Sequence, residues 1–183
     1  VEDYRLWLVL DYLTKSFVAG ALVWFVWSKR IQLSDLGLED YPGIGTVLFS
    51  TVAAVFWGLL VLFMIWPQLS EFLPKGRFGQ IPMIPPGSLK TFDLYFGLGL
   101  TAITEELVFR GCLYAVIERK LKNELLSSVC SSVIFGLIHW SLGLSSVVNA
   151  ALIGGGFMFI RGSSGTVIPV IIAHFVVDAF VFA

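Results

Sequence analysis

The chain has 183 residues, of which 57% are hydrophobic and only 14% charged, and its formal net charge is −1. Soluble domains carry about 25% charged residues, so this composition excludes an ordinary water-soluble domain. The near-zero charge supplies no basic field for nucleic acid.

Taken in chain order, the apolar runs predict six membrane helices. Residues 6–27 and 44–66 read LWLVLDYLTKSFVAGALVWFVW and IGTVLFSTVAAVFWGLLVLFMIW. Each is long enough for a bilayer core, which takes about 20 helical residues. The second run has no polar stripe, as a soluble core helix would. In the first, Asp11 and Lys15 stand one helical turn apart and read as a mutually neutralising pair.

Residues 67–88 hold five of the seven prolines and predict an irregular loop at the membrane interface. Further helices are expected over 89–117, 124–140, 145–161 and 166–183. The last three are short for spanning, which suits a bundle with a local polar cavity. Gly154, Gly155 and Gly156 interrupt the fifth helix, either for close helix approach or for a bend beside a site. Cys112 and Cys130 both fall in predicted helices and read as small packing residues. There is no repeat and no low-complexity segment, so residues 1–183 read as one domain. The fold class expected is all-α, a polytopic transmembrane helix bundle. No signal peptide is visible, and the start at Val1 without Met is compatible with a processed or trimmed chain.

With helices alternating, Lys29, Arg30, Arg119, Lys120, Lys122 and Arg161 collect on one side of the membrane. Arg5, Lys75, Arg77 and Lys90 collect on the other. The bias places the first group in the cytoplasm and both termini opposite.

The third helix carries the stretch TEELVFRG, residues 104–111, inside apolar surroundings. A charge at the centre of a membrane helix costs roughly 2.5–3.5 kcal/mol, so such groups are paired or functional. Neighbouring helical residues point about 100° apart, so Glu105 and Glu106 should not serve one site equally. Glu106 precedes Arg110 by one turn, the favourable order for an ion pair, and that pair is expected to turn away from the site. Glu105 is then left without a local partner, a carboxylate poised for proton transfer.

The chain has two histidines, both in predicted membrane helices. His139 ends FGLIH, and His174 opens HFVVD one turn before Asp178. Glu105, His139 and His174 lie 14, 17 and 13 residues from the basic ends Arg119, Lys122 and Arg161. At 1.5 Å per residue these are similar depths, roughly 20–25 Å, nearer the less basic side. Three helices therefore bring polar groups to one level.

Two chemistries fit. In one, Glu105 is a general base for water held by His139, while His174 and Asp178 face the oxyanion. In the other, the histidines and a carboxylate bind a metal that activates water.

The patterns EELVFR, FGLIH and HFVVD, in this order over about residues 89–183, resemble the CPBP family. That family comprises CAAX prenyl endopeptidases of the Ras-converting-enzyme type, bacteriocin-processing and immunity proteins, and bacterial abortive-infection membrane proteins. The resemblance implies a glutamate-dependent intramembrane endopeptidase without a cofactor. Its substrate would be a membrane protein or lipidated peptide in the lipid bilayer. Glu105 would be the base and His139 would position water. His174 and Asp178 would form the oxyanion site, with Glu106 and Arg110 structural. The prenyl-protein proteases have asparagine where this chain has Asp178, and an ionised Asp accepts hydrogen bonds but donates none. Residues 1–88 match nothing specific.

Two other readings stand beside this one. The first is a non-catalytic membrane chaperone, assembly factor or immunity protein that binds other membrane helices in a complex. The second is a transporter using the same groups as a proton relay.

Overall fold

The computed structural model describes residues 3–39 and 41–183. Most of them lie in six continuous helices: α1 (Tyr4–Trp27), α2 (Ile44–Ser70), α3 (88–121), α4 (Glu124–Leu137), α5 (Leu144–Ser164) and α6 (Ile168–Phe182). No strand occurs among the described residues. Helices α1, α2 and α5 are long and apolar enough to cross a membrane, while α4 and α6 are apolar but shorter. The protein is an integral, multi-pass helical membrane bundle.

The helix ends follow local chemistry. Asp3 caps α1 by accepting from the Arg5 N–H at 2.8 Å, and Asn123 caps α4 by accepting from the Leu126 N–H at 3.0 Å. Gly165 ends α5 in the left-handed region, at φ 73°, which a residue without Cβ adopts freely. Pro169 lies in the first turn of α6, where its missing N–H is no loss.

Helix α5 is longer than its sequence suggests. A basic end was expected at Arg161, but the helix continues to Ser164. The Arg161 guanidinium folds over the Tyr114 ring, 4.8 Å from its centroid. The charge is thus accommodated against an aromatic face and does not end the helix. At α4 the opposite occurs: the helix stops at Leu137, and His139 sits in the turn beyond it, its N–H donating to the Gly136 carbonyl at 3.0 Å.

Close packing holds the centre. Ala54 of α2, Phe157 of α5 and Val170 and Ala173 of α6 form a fully buried cluster together with Val167. Two of the three glycines of α5 serve close packing. Gly154 faces the Arg110 guanidinium and the Phe135 ring, and Gly156 makes room for the Trp57 indole. Trp57 Nε1 then donates to the Leu152 carbonyl at 3.1 Å. Gly155 faces open space.

Helix α3 is wound loosely in two places, as π-helix over Asp93–Gly97 and Leu107–Leu113. A π turn loosens the ordinary hydrogen-bond ladder and leaves carbonyls for other donors. Ser131 of α4 uses one, its buried hydroxyl donating to the Phe109 carbonyl at 2.6 Å. Tyr12 of α1 donates to Asp93 Oδ1 at 2.8 Å, tying α1 to the other π segment.

Two sets of connections mark the two ends of the bundle. At one end, the 28–43 connection meets the α5–α6 turn: the Gly37 carbonyl accepts from Thr166 Oγ1 at 2.9 Å and from the Val167 N–H at 3.1 Å. Asp35 there pairs with Arg119 at the end of α3. Partial burial alone would raise the Asp35 carboxyl, but the Gln32 N–H and the Arg119 guanidinium outweigh it and hold the group below its ordinary range. At the other end, the proline-rich 71–87 connection docks on the α4–α5 turn. The N–H groups of Phe78 and Gly79 both donate to the Ser141 carbonyl, at 2.8 and 2.7 Å.

Candidate active site

Glu105 and Glu106 adjoin the second π segment of α3, and α6 crosses them. Glu106 and Arg110 are completely buried. The Glu106 Oε1 atom lies 3.1 Å from Arg110 Nη1. That contact is an ion pair whose angle falls short of a hydrogen bond, since Arg110 Nη1 has no hydrogen-bond partner. The guanidinium also lies over the Phe135 ring, 4.0 Å from its centroid, where cation–π attraction is strongest away from water.

The ion pair does not turn away from the site. The same Glu106 Oε1 accepts from His174 Nδ1 at 2.7 Å. On the opposite edge of the ring, His174 Nε2 lies 3.4 Å from Asp178 Oδ2 and 3.8 Å from Glu105 Oε2. Both glutamates therefore meet one imidazole, contrary to the expectation that they would diverge. The His174 ring lies across the gap between them and presents a nitrogen to each.

His139 comes from the turn after α4. Its Nδ1 is 3.0 Å from the Phe135 carbonyl. A carbonyl only accepts, so Nδ1 carries the hydrogen, and a neutral ring then has Nε2 free as an acceptor. The Phe135 ring meets both imidazoles edge-on, with centroids 5.1 Å from His139 and 6.1 Å from His174.

Glu105, His139, His174 and Asp178 all line one cavity of about 680 Å³. Glu105 Oε2 is buried there without a hydrogen-bond partner. The cavity runs from these groups toward the end that carries the 71–87 connection, where Ile81, Pro82, Met83 and Ile84 form part of its wall. Asp11 and Lys15 pair at 2.5 Å, as their spacing predicts, and also line it. Cys112 and Cys130 are free and half-buried. Among the described residues, no group of three His, Cys, Asp or Glu side chains is arranged to hold a metal ion.

Asn149 of α5 also lines the cavity, and its Oδ1 is buried without a hydrogen-bond partner. It is absent from the residues singled out in the sequence. The available signal is an amide alone in the apolar run VVNAALI, which calls for the same explanation as a charge in a membrane helix.

The cavity thus gathers carboxylates and imidazoles from α3, from the turn after α4 and from α6. Residues 87–180, just over half of the chain, match the family described as type II CAAX prenyl endopeptidase Rce1-like, and the chain belongs to that family. The matched segment spans Glu105, His139, His174 and Asp178, and the family is the one that the sequence resembles. At the level of the family, the activity is that of a CAAX-type intramembrane endopeptidase acting on membrane-associated peptides. No curated protein and no solved structure matches the chain.

Proposed function

We propose that the protein hydrolyses a peptide bond of a membrane-associated substrate with water activated by Glu105. The observation that carries this reading is the shared cavity. There an unpartnered Glu105 carboxylate oxygen, the free edge of His139 and the His174–Asp178 pair face one space.

Glu105 takes a proton from water that His139 Nε2 orients by accepting its other hydrogen. The water oxygen bonds to the peptide carbonyl carbon, and the carbonyl electron pair moves to oxygen. His174 carries a hydrogen on each nitrogen, set between Glu106 on one edge and Asp178 on the other. Its positive charge stabilises the oxyanion without needing Asp178 as a donor. As the tetrahedral species collapses, the C–N bond breaks and Glu105 delivers its proton to the departing amine. Water is consumed, and a carboxylic acid and an amine result. Glu106 and Arg110 hold His174 in place.

The test is cleavage of a panel of lipidated and unlipidated C-terminal peptides by the detergent-purified protein. Glu105→Gln removes the base while keeping volume, so activity should fall at least 10²-fold with thermal unfolding retained. Elemental analysis accompanies the assay. Stoichiometric zinc that is lost together with activity in Glu105→Gln would favour the metal chemistry instead. A wild-type protein that cleaves no member of the panel would favour the non-catalytic reading.

A further inference from the structure

The cavity is rich in hydrogen-bond acceptors and poor in donors. Glu105 and Asp178 present carboxylates. His174 has carboxylates at both nitrogens, at 2.7 Å on one edge and 3.4 and 3.8 Å on the other. His139 uses its Nδ1 hydrogen on the Phe135 carbonyl. The hydroxyls of Thr101 and Ser146 donate to their own helical turns, to Gly97 at 2.9 Å and Leu142 at 3.2 Å. Lys15 is tied to Asp11 at 2.5 Å, and Lys90 donates to the Ala183 carbonyl at 3.1 Å. A developing oxyanion needs donors aimed at it; His139 Nδ1, Thr101, Ser146, Lys15 and Lys90 have theirs engaged elsewhere, which leaves the Nε2 edge of His174 in need of a second donor beside it.

Asn149 is different. It lines the same cavity from α5, and among the described residues no hydrogen bond occupies its amide. A buried, unpaired amide oxygen costs about 1–3 kcal/mol. A bound molecule that pairs with the amide would recover that cost.

We infer that Asn149 is a catalytic residue whose side-chain amide donates to the substrate carbonyl oxygen as it becomes an oxyanion. The inference rests on the hydrolytic reading above and supplies the neutral donor that Asp178, as a carboxylate, does not. The amide group has two hydrogens, and its oxygen can accept an N–H from the bound peptide backbone.

The experiment measures kcat and KM for peptide cleavage by wild type, Asn149→Ala and Asn149→Asp, with Trp7→Phe as the comparison. Trp7 brings an indole N–H, another neutral donor, to the cavity from α1. Loss of an oxyanion donor lowers kcat by about 10²–10³-fold, so both Asn149 variants should lose that much with KM changed less than about threefold. Each variant is also titrated with two uncleavable peptides of one sequence. One has a phosphinate, a tetrahedral anion, at the scissile position, and the other a planar ketomethylene. Asn149→Asp should weaken the phosphinate by a similar factor and leave the ketomethylene nearly unaffected. Thermal unfolding identifies any variant that fails to fold, and the isosteric Asn149→Asp guards against a cavity artefact in Asn149→Ala.

Unchanged kcat in folded variants, equal weakening of both ligands, or a larger kcat loss in Trp7→Phe would each overturn the inference while leaving the hydrolytic reading intact. If wild type cleaves no peptide yet binds the phosphinate through Asn149, the donor role stands and the protease reading fails. If wild type neither cleaves nor binds, both fall.

Discussion

At the scale of single residues, the arrangement around His174 changes what a substitution at Glu106 should do. From the sequence, Glu106 is a partner for Arg110 and nothing more. In the structure one carboxylate oxygen serves both Arg110, at 3.1 Å, and His174, at 2.7 Å. Glu106→Gln should therefore act twice. It leaves a completely buried guanidinium without its anion, which costs on the order of 3–5 kcal/mol. It also removes the anion that orients His174, so activity should fall even at temperatures where the variant is folded. Thermal unfolding and peptide cleavage measured on one detergent preparation separate the effects. Full activity in a destabilised but folded Glu106→Gln would return Glu106 to a purely structural role. The double duty was not legible in the sequence because it depends on α6 crossing α3 at Glu106, and helical periodicity describes only one helix at a time. Glu105, His139, His174 and Asp178 were legible because ionisable groups inside apolar runs are costly and few. Asn149 was overlooked because an amide carries no charge and breaks no periodic pattern.

At the scale of elements, the six helices were legible to within a few residues, since apolar length is the dominant signal in a membrane chain. The exceptions have local causes. Arg161 finds an aromatic face in Tyr114, and His139 lies past the end of α4 because the chain turns there toward Trp140–Leu142. The π segments of α3 left no mark in the pattern, and the contacts they receive come from Tyr12 and Ser131 on other helices. Glycines show most clearly how packing positions the site. Gly136 sits where α4 meets α5: a Cβ there would come within 2.5 Å of the Val147 carbonyl oxygen and 2.8 Å of the Ala151 methyl. Those atoms are backbone and a short side chain, so the helices themselves must part. Gly136→Ala should cost about 1–3 kcal/mol by overpacking. Activity should fall as well, because the displaced pair carries His139 at its turn and Asn149 one helix away. Gly155→Ala provides the contrast. Nothing lies within 4 Å of its Cβ position, and alanine is the better helix former by about 1 kcal/mol. Its unfolding temperature should be equal to wild type or higher. Equal unfolding temperatures for Gly136→Ala and Gly155→Ala would mean that α4 and α5 pack less closely than the structure has them.

At the scale of the whole molecule, the connections fix which ends belong together. Gly37 bonds Thr166 and Val167, and Asp35 meets Arg119, so the connections after α1, α3 and α5 share one end. Phe78 and Gly79 bond Ser141, and Lys90 bonds Ala183, so the connections after α2 and α4 share the other with the end of α6. This is the alternation assumed in sorting the Lys and Arg residues to two sides, reached by contacts that no charge count contains. The cavity extends toward the second end, where Ile81–Ile84 wall it. The same wall includes Trp7, Asp11 and Lys15 of α1. The site is thus partly enclosed by segments outside the family match, which bring the paired Asp11 and Lys15 to its wall. Sidedness is open to direct measurement. With Cys112 and Cys130 replaced by alanine, single cysteines are placed at the exposed positions Ser34 and Ser163 at one end, and at Glu71 and Ser88 at the other. In sealed membranes an impermeant thiol reagent should label one pair and not the other. The bias of basic residues puts Ser34 and Ser163 on the cytoplasmic side, so the reagent should reach Glu71→Cys and Ser88→Cys from outside the cytoplasm, the side from which the cavity is approached. Labelling of all four with the reverse sidedness would keep the bundle and move the cavity mouth to the cytoplasm. Labelling of Ser34→Cys and Ser163→Cys from opposite sides would contradict the helix arrangement itself, because the Gly37 bonds hold those two connections at one end.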